Sequence, residues 1–175
     1  MLKLIVIAIV VLIAAVLLFA ATRPNDFRVQ RSVLVQAPPE RIHAQINDFH
    51  HWQAWSPYEK LDPAMTRSIG GAAQGTGATY GWSGEGKAGA GRMEITRSEP
   101  ASRITIQLDF TRPFKAHNVA EFTIAPKGDA SEVTWAMSGQ QPYMAKLMGL
   151  FFDMDHMIGR DFEEGLNNLK RIAEQ

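Results

Sequence analysis

Two glycine-rich stretches near the middle of the chain match motifs that carry chemistry. Residues 84–89 (Gly-Glu-Gly-Lys-Ala-Gly) have the spacing of a dinucleotide-binding loop, and residues 81–85 (Gly-Trp-Ser-Gly-Glu) resemble the turn that presents a nucleophilic serine. Each motif requires a helix directly after the turn, whereas the residues that follow here alternate as in a strand. In addition, Glu85 occupies the position of the last glycine in the serine motif. We therefore predict no nucleotide cofactor and no nucleophilic serine.

Two histidines and an asparagine have the spacing of one helix face. His43, Asn47 and His51 follow one another at intervals of four residues, so they project from the same side of a helix. A zinc site needs three or four strong ligands at matched geometry, and the sequence offers no third strong ligand beside the two imidazoles. We expect surface polar residues at these positions and no bound metal.

Three carboxylates lie on neighbouring predicted strands, where they could form a general acid–base set. Alternation places Glu94, Asp109 and Glu121 opposite the apolar side chains of their strands, and hence on the solvated face. The sequence therefore offers no catalytic pair, and we expect binding rather than catalysis. Asn118 differs, because it shares a face with Phe122 and is predicted to point inward. A buried amide needs hydrogen-bond partners, which are either the backbone or the polar group of a ligand.

Composition limits the classes of protein that the chain can represent. Its 175 residues, 46% of them hydrophobic, are enough for one domain with a sizeable core. The absence of cysteine excludes a disulfide scaffold. Lys plus Arg equals Asp plus Glu at 18 each, so no bulk charge points to a nucleic-acid partner. No feature of the sequence identifies a protein partner.

The beginning of the chain is almost purely apolar. Residues 4–21 are 18 consecutive apolar residues, which as a helix extend roughly 27 Å, close to the thickness of a bilayer core. We expect a transmembrane anchor over residues 1–21, a polar linker over 22–26 and a soluble domain over 27–175. A cleaved signal peptide is the alternative, but its apolar region is ordinarily shorter, and residues 19–22 match its cleavage pattern poorly. A core helix of a soluble protein is a third interpretation.

The orientation of the anchor depends on two opposing signals. Lys3 lies on one side of the apolar run, and Arg23, Arg28, Arg31 and Arg41 lie on the other, which by the positive-inside rule retains the domain in the cytoplasm. A short tail before a signal-like start favours export, because long domains translocate regardless of their charge. We expect the domain on the periplasmic side of a bacterial inner membrane.

In the sequence of the soluble domain, apolar and polar residues alternate as they do in the strands of an antiparallel sheet. Residues 27–36 predict a strand whose alternation is interrupted by Arg31, and a short helix then begins at residues 37–40 and ends near His51. Residues 70–91 contain nine of the 14 glycines and predict bulged hairpins or loops. One-sided alternation predicts strands with a single buried face at residues 92–99, 103–111, 116–124 and around 133–137.

The pattern changes to a helical period from Pro142 onward. Apolar residues then recur at intervals of three, four and seven, and Gly149 and Gly159 predict a break or bend between them. Residues 147–152 are apolar nearly all round, which is typical of a cavity lid, a membrane-contacting patch or a core helix. A polar cluster at the predicted break is typical of a helix cap or a solvated face: Asp153, Asp155 and His156.

Three segments resemble the START-like (SRPBCC) superfamily and, within it, the polyketide cyclase/dehydrase group. They are residues 33–42 (Val-Leu-Val-Gln-Ala-Pro-Pro-Glu-Arg-Ile), 52–57 (Trp-x-x-Trp-Ser-Pro) and 165–170 (Gly-Leu-x-x-Leu-Lys). The resemblance covers about residues 27–175 and implies an α+β helix-grip fold, in which a curved antiparallel sheet wraps around a long C-terminal helix. It also implies a cavity that holds lipids, sterols, polyketides or other hydrophobic molecules. Some members are enzymes, but no catalytic set transfers to this chain, and the apolar N-terminal segment departs from the cytosolic members.

A sheet of this width cannot be fully covered by one helix, so the space between them is either a ligand pocket or a core filled with aromatic rings. We predict that a hydrophobic small molecule such as a lipid, isoprenoid or polyketide-like compound binds there. Bulky side chains expected to point inward, together with Asn118, are the predicted ligand-binding residues: Tyr80, Trp82, Phe110, Asn118, Phe122, Trp135, Met148, Phe151 and Phe152. The alternatives are a cyclase- or hydratase-type enzyme and a protein-interaction module with a filled core.

Overall fold

A single apolar helix precedes the folded domain. The computed structural model describes residues 1–175, and its first helix, α1, runs from Leu2 to Ala21. Ala20 is the one buried residue of α1. Most of the apolar surface of this helix contacts no other part of the chain. The helix is long and apolar enough to cross a bilayer, a property that signal sequences share.

Seven antiparallel strands form one sheet. Alternation predicted five of them, and the other two (Thr66–Gly71 and Ala78–Ser83) lie within or beside the glycine-rich segment, where bulged hairpins or loops were predicted. The strand order is β1-β7-β6-β5-β4-β3-β2, so the first strand of the domain pairs with the last. Register shifts between Ala90 and Gly91 and between Ile95 and Arg97 disturb β4, and such irregularities bend and twist a sheet. The strands are β1 (Asp26–Val35), β2 (Thr66–Gly71), β3 (Ala78–Ser83), β4 (Ala90–Glu99), β5 (Arg103–Arg112), β6 (Ala116–Lys127) and β7 (Ala130–Gln140).

Helices cover the inner, concave face of this sheet. The C-terminal helix α5 packs principally against β1. The predicted break in the C-terminal segment is confirmed, and the Asp153 carboxylate caps α5 by accepting the backbone N–H of His156 at 2.9 Å. The four helices of the domain are α2 (Pro39–Ile46), α3 (Trp52–Trp55), α4 (Tyr143–Met148) and α5 (Met154–Ala173), with 3₁₀ turns at Phe49–His51 and Pro57–Lys60. The predicted α+β helix-grip fold is therefore confirmed.

Aromatic rings fill the space between the sheet and the C-terminal half of α5. Trp135 of β7 stacks on Phe162 of α5 with ring centroids 4.2 Å apart, and on Phe122 of β6 at 4.9 Å. Trp55 packs edge-on against Trp135 at 5.7 Å. A Cβ at Gly165 would lie 2.7 Å from the Trp135 ring, so glycine is what allows α5 to come this close. This half of the interior is a packed core rather than a hollow.

Arg31 interrupts the apolar pattern of β1 because it ties the strand to α5. It pairs with Trp135 across the ladder and therefore points to the inner face. Its guanidinium group contacts the Asp155 carboxylate at 2.9 Å and the Glu163 carboxylate at 2.9 Å. A side chain on Gly159 would overlap this guanidinium group. The hydrogen bond from Arg31 lowers the pKa of Asp155 below its usual value.

Candidate functional site

The inner face is more open at the end of the sheet that follows α1. At this end β1, β4 and β6 begin, and β3, β5 and β7 end. Register places Phe27, Gly139, Asn118, Leu108 and Met93 in one row across the strands, and all five therefore share the inner face. A second row, one step nearer to α1, contains Phe110 and Trp82. We call the surface formed by these seven residues the anchor-proximal face.

Three of the nine predicted binding residues belong to the aromatic core instead. Tyr80, Phe122 and Trp135 are almost completely buried. Tyr80 packs against Phe49 with ring centroids 5.7 Å apart, and Phe122 and Trp135 stack on each other. Their rings contact other protein rings, so only their edges are free to border a ligand.

Three more of the predicted residues meet on the anchor-proximal face. Trp82 and Phe110 are half-buried and pack at right angles with ring centroids 5.5 Å apart. The Trp82 indole N–H donates to the Ala88 carbonyl at 2.9 Å, which fixes the ring over Gly91. Asn118 lies in the neighbouring row, as its predicted inward orientation requires. This part of the inner face therefore combines exposed apolar area with one polar side chain.

The amide of Asn118 is buried without a strong hydrogen-bond partner. The side chain occupies the space left by the missing side chain of Gly139, and its Nδ2 lies 3.9 Å from the sulfur of Met137. Sulfur is a weak acceptor, and no backbone group bonds this amide. The hydrogen-bonding capacity of the Asn118 amide is therefore largely unused by the protein.

A second polar group on the inner face lacks a partner. The indole N–H of Trp135 is buried with no acceptor. The other three indoles all donate to carbonyl oxygens: Trp52 to Ile46, Trp55 to Gln45 and Trp82 to Ala88. Because buried donors are rarely left unpaired, this N–H is a position where a ligand acceptor or a water molecule would be stabilised.

The remaining three predicted residues lie outside the interior. Met148, Phe151 and Phe152 were expected to point inward, but they are 48%, 71% and 56% exposed. The reason is that α4 turns away from the sheet and packs beside α1, where the Tyr143 hydroxyl donates to the Leu17 carbonyl at 2.8 Å. The core-helix interpretation of residues 147–152 is therefore wrong.

The three strand carboxylates lie on the outer face, as alternation predicted. Asp109 contacts His117 at 2.7 Å, Glu94 contacts Arg92 at 3.1 Å, and Glu121 lies 3.8 Å from Arg103. None of them faces the interior, so they do not form an acid–base set around a bound molecule.

The predicted polar face of α2 forms a small hydrogen-bonded group. The Ser98 hydroxyl donates to the Asn47 amide oxygen at 2.6 Å and lies 3.3 Å from His43 Nε2, while burial lowers the pKa of His43. The chain contains no group of three His, Cys, Asp or Glu side chains placed to hold a metal ion.

A buried carboxylate that the sequence pattern did not reveal lies at the border of the interior. The Glu59 side chain is 7% exposed, accepts a hydrogen bond from Arg67 Nε at 2.5 Å and accepts another from the Tyr80 hydroxyl. Burial and the bond to Glu59 raise the pKa of Tyr80 above its usual value. Glu59 follows Pro57 in a turn without periodicity, so no pattern could indicate its burial. Because both carboxylate oxygens are engaged, Glu59 holds Tyr80 in place and is not a free base.

A curved antiparallel sheet that wraps around a C-terminal helix defines the helix-grip class of proteins. The family model described as polyketide cyclase / dehydrase and lipid transport matches residues 26–174. The chain therefore belongs to this family, which confirms the resemblance that the sequence motifs indicated.

Solved structures support the same fold. Protein CV1439 from Chromobacterium violaceum is similar with a TM-score of 0.61 and 16% identity over 87% of this chain and 99% of that chain. DynU16, described as a putative protein in the dynemicin biosynthetic locus, is similar with a TM-score of 0.60 and 18% identity, over 87% of this chain and 48% of DynU16. Aha1 from Colwellia psychrerythraea has a TM-score of 0.56 and 16% identity, over 85% and 96%. No curated protein matches the chain in sequence.

Proposed function

We propose that this protein is a membrane-anchored module that binds a hydrophobic small molecule, such as a lipid, an isoprenoid or a polyketide-like compound. Residues 1–21 are the anchor, residues 22–26 the linker, and residues 27–175 the binding domain. The ligand lies against the anchor-proximal face, because the aromatic core occupies the deeper half of the space under α5. Membership of a family that includes lipid transport supports this class of ligand.

The observation that carries the proposal is the combination of partly exposed apolar area and one largely unused polar side chain, Asn118, on the anchor-proximal face. Trp82, Met93 and Phe110 remain partly exposed although they point inward. Removing their surface from water together with a ligand's chain contributes about 0.8 kcal/mol per buried methylene. The amide of Asn118 can then orient a polar group of the ligand.

A charge placed on the anchor-proximal face tests the proposal. The full chain in detergent micelles is titrated with cis-parinaric acid, a fluorescent fatty acid, and energy transfer from tryptophan to the probe is recorded. Phe110→Asp is expected to weaken binding by at least roughly tenfold, because its carboxylate must be desolvated by the probe's chain. Val119→Asp is the matched control, since Val119 lies on the exposed outer face of β6.

Two outcomes would contradict the binding proposal. Saturable energy transfer that is equal in the wild type and in Phe110→Asp would place the probe elsewhere. If neither the wild type nor any variant shows energy transfer to the probe, a protein-interaction module with a filled core is favoured instead.

We further propose that the domain lies on the periplasmic side of a bacterial inner membrane. The chain has no cysteine, so a single cysteine introduced at an exposed position such as Lys127 is a unique label. Labelling of Lys127→Cys in intact cells by a membrane-impermeant maleimide is the expected result. Labelling only after the inner membrane has been broken would place the domain in the cytoplasm.

A further inference from the structure

A cleft lies between the linker and the connection from α4 to α5, away from the inner face of the sheet. Its volume is about 600 Å³. On one side it is lined by Arg23 and Pro24, which follow α1 directly, and on the other side by Lys146 and residues 149–154. The cleft therefore opens where the apolar helix ends.

Two basic side chains in this cleft have no carboxylate partner. Lys146 is 7% exposed, and its ammonium group donates to the Asn25 amide oxygen at 2.6 Å, with no carboxylate at ion-pair distance. Arg23 lies over the Phe19 ring at 5.5 Å and makes no ion pair. The one acidic residue of the cleft, Asp153, uses its carboxylate to cap α5. A buried ammonium group without a counter-charge costs free energy that a bound anion would offset.

The surface around the cleft is apolar to an unusual degree. Beyond residue 21, twelve large apolar side chains are exposed, and seven of them lie between Tyr143 and Met157. Phe151 and Phe152 are the aromatic members that also line the cleft. Large clusters of this kind on a soluble surface mark contact with another apolar phase or protein.

The position of α4 along α1 relates the exposed apolar side chains to the bilayer that α1 is proposed to span. The Tyr143 hydroxyl bonds the Leu17 carbonyl, four residues before the end of α1, or about 6 Å below it along the helix axis. If α1 spans a bilayer, its 20 residues extend about 30 Å, and its end lies at the level of the lipid head groups. Tyrosine is enriched at this level, and lipid phosphates lie there. The exposed phenylalanines then face the upper part of the acyl chains.

We propose that this cleft binds the phosphate-bearing head group of an anionic phospholipid from the bilayer that α1 spans. The ammonium group of Lys146 and the guanidinium group of Arg23 bind the phosphate, and Phe151 and Phe152 contact the acyl chains. The inference rests on the proposed membrane placement of α1, but it concerns a second site, separate from the anchor-proximal face. Bound lipid would also hold α4 and the start of α5 against the membrane surface.

The test uses the full chain reconstituted in nanodiscs of phosphatidylcholine with a minor fraction of phosphatidylglycerol. Native mass spectrometry then counts which lipid remains bound after the disc is stripped. We expect phosphatidylglycerol to be retained about tenfold above its share of the bilayer, because the choline ammonium group of phosphatidylcholine is repelled by Lys146 and Arg23 and the neutral glycerol group is not. Lys146→Gln and Arg23→Gln should each reduce this enrichment several-fold. Lys127→Gln, at the opposite end of β6, should leave it unchanged.

Arg23→Gln keeps the test valid if Lys146→Gln fails to fold, because Arg23 is exposed in the linker. Equal retention of both lipids, or enrichment that Arg23→Gln and Lys146→Gln leave unchanged, would overturn the proposal. Stabilisation of the micelle-bound chain by inorganic phosphate, without phosphatidylglycerol enrichment in nanodiscs, would assign the cleft to a free phosphate and also overturn it. Failure of the wild-type chain to remain in bilayers after an alkaline wash would instead contradict the anchor itself.

Discussion

Two buried asparagines differ in what their side-chain amides bind. Asn118 and Asn168 are both 7% exposed. The Asn168 amide donates to the Trp55 carbonyl at 3.1 Å and its oxygen accepts from Arg171, whereas the Asn118 amide contacts only the Met137 sulfur. The first amide ties α5 to α3, whereas the second leaves most of its hydrogen-bonding capacity unused. Burial alone therefore does not separate a structural polar residue from a candidate binding residue.

This difference predicts unequal costs for the same substitution. Asn168→Leu is expected to destabilise the domain by about 1–3 kcal/mol, because it leaves a buried carbonyl oxygen unpaired. Asn118→Leu is expected to cost less than about 1 kcal/mol, since it removes no strong hydrogen bond. Urea unfolding of the full chain in non-ionic detergent measures both. A cost for Asn118→Leu as large as that for Asn168→Leu would show that the Asn118 amide is a structural group.

The contact between Arg31 and Asp155 predicts a dependence of stability on pH. Because Arg31 lowers the pKa of Asp155 in the folded state, the contact stabilises the domain above the unfolded pKa of about 3.9. That stabilisation is lost as the pH falls through the lower folded pKa. Asp155→Asn should therefore be less stable than the wild type at pH 6, and the difference should shrink between about pH 4 and pH 2. A difference that stays constant across this range would contradict the assigned contact.

At the level of elements, α5 approaches the sheet at two glycines. A Cβ at Gly165 would lie 2.7 Å from the Trp135 ring and 2.9 Å from Cδ of Pro57. Side chains in a close-packed core have little room to move, so the glycine sets the distance between helix and sheet. Gly159 has the same role opposite the Arg31 guanidinium group.

The sign of one stability change tests this packing. Helix propensity alone predicts that Gly165→Ala stabilises the domain by about 1 kcal/mol. The close contact with Trp135 predicts the opposite, a destabilisation of about 1–3 kcal/mol from overpacking. Asn167→Ala, at an exposed position of α5, is the control and should be neutral or slightly stabilising. Thermal unfolding measures both variants, and a stabilised Gly165→Ala would mean that α5 lies farther from the sheet.

Periodicity predicted five of the seven strands and the break between α4 and α5, because alternation and helical spacing follow from which face is buried. It failed for Met148, Phe151 and Phe152, since the spacing of apolar residues does not show whether a side chain is buried in a core or exposed at the surface. It also could not indicate the burial of Glu59, whose partner Arg67 is eight residues away in another element. The inner position of Arg31 depends on carboxylates more than 120 residues distant. Local patterns carry no information on such contacts.

For the whole molecule, the proposed function requires that α1 remains in a bilayer. On the insertion scale, its apolar residues contribute about 6 kcal/mol, and each arginine at the helix centre costs about 3 kcal/mol. Arginine at Ile9, Leu12 and Ile13 together should therefore release the protein from membranes during alkaline extraction. Alanine at the same three positions should leave it integrated. A wild-type chain found mainly in the soluble fraction, with a mass that shows loss of the apolar segment, would instead indicate a cleaved signal peptide.

The proposed anchor would place the more open end of the inner face next to a bilayer. β1 begins five residues after α1 ends, so the anchor-proximal face is the part of the interior nearest to α1. A hydrophobic ligand that leaves the membrane would reach Trp82 and Phe110 before the aromatic core. Under the proposed function, the ligand is therefore taken up from the membrane rather than from water.

The most direct test of the central proposal is to identify what the native protein carries. The full chain is extracted from its own membranes in a mild detergent, and bound small molecules are quantified by mass spectrometry in parallel with Phe110→Asp and Val119→Asp. We predict one class of hydrophobic molecule at close to one per chain in the wild type and in Val119→Asp, and its loss from Phe110→Asp. Equal amounts in all three proteins, or no such molecule in any of them, would contradict the proposal that the anchor-proximal face binds a hydrophobic ligand.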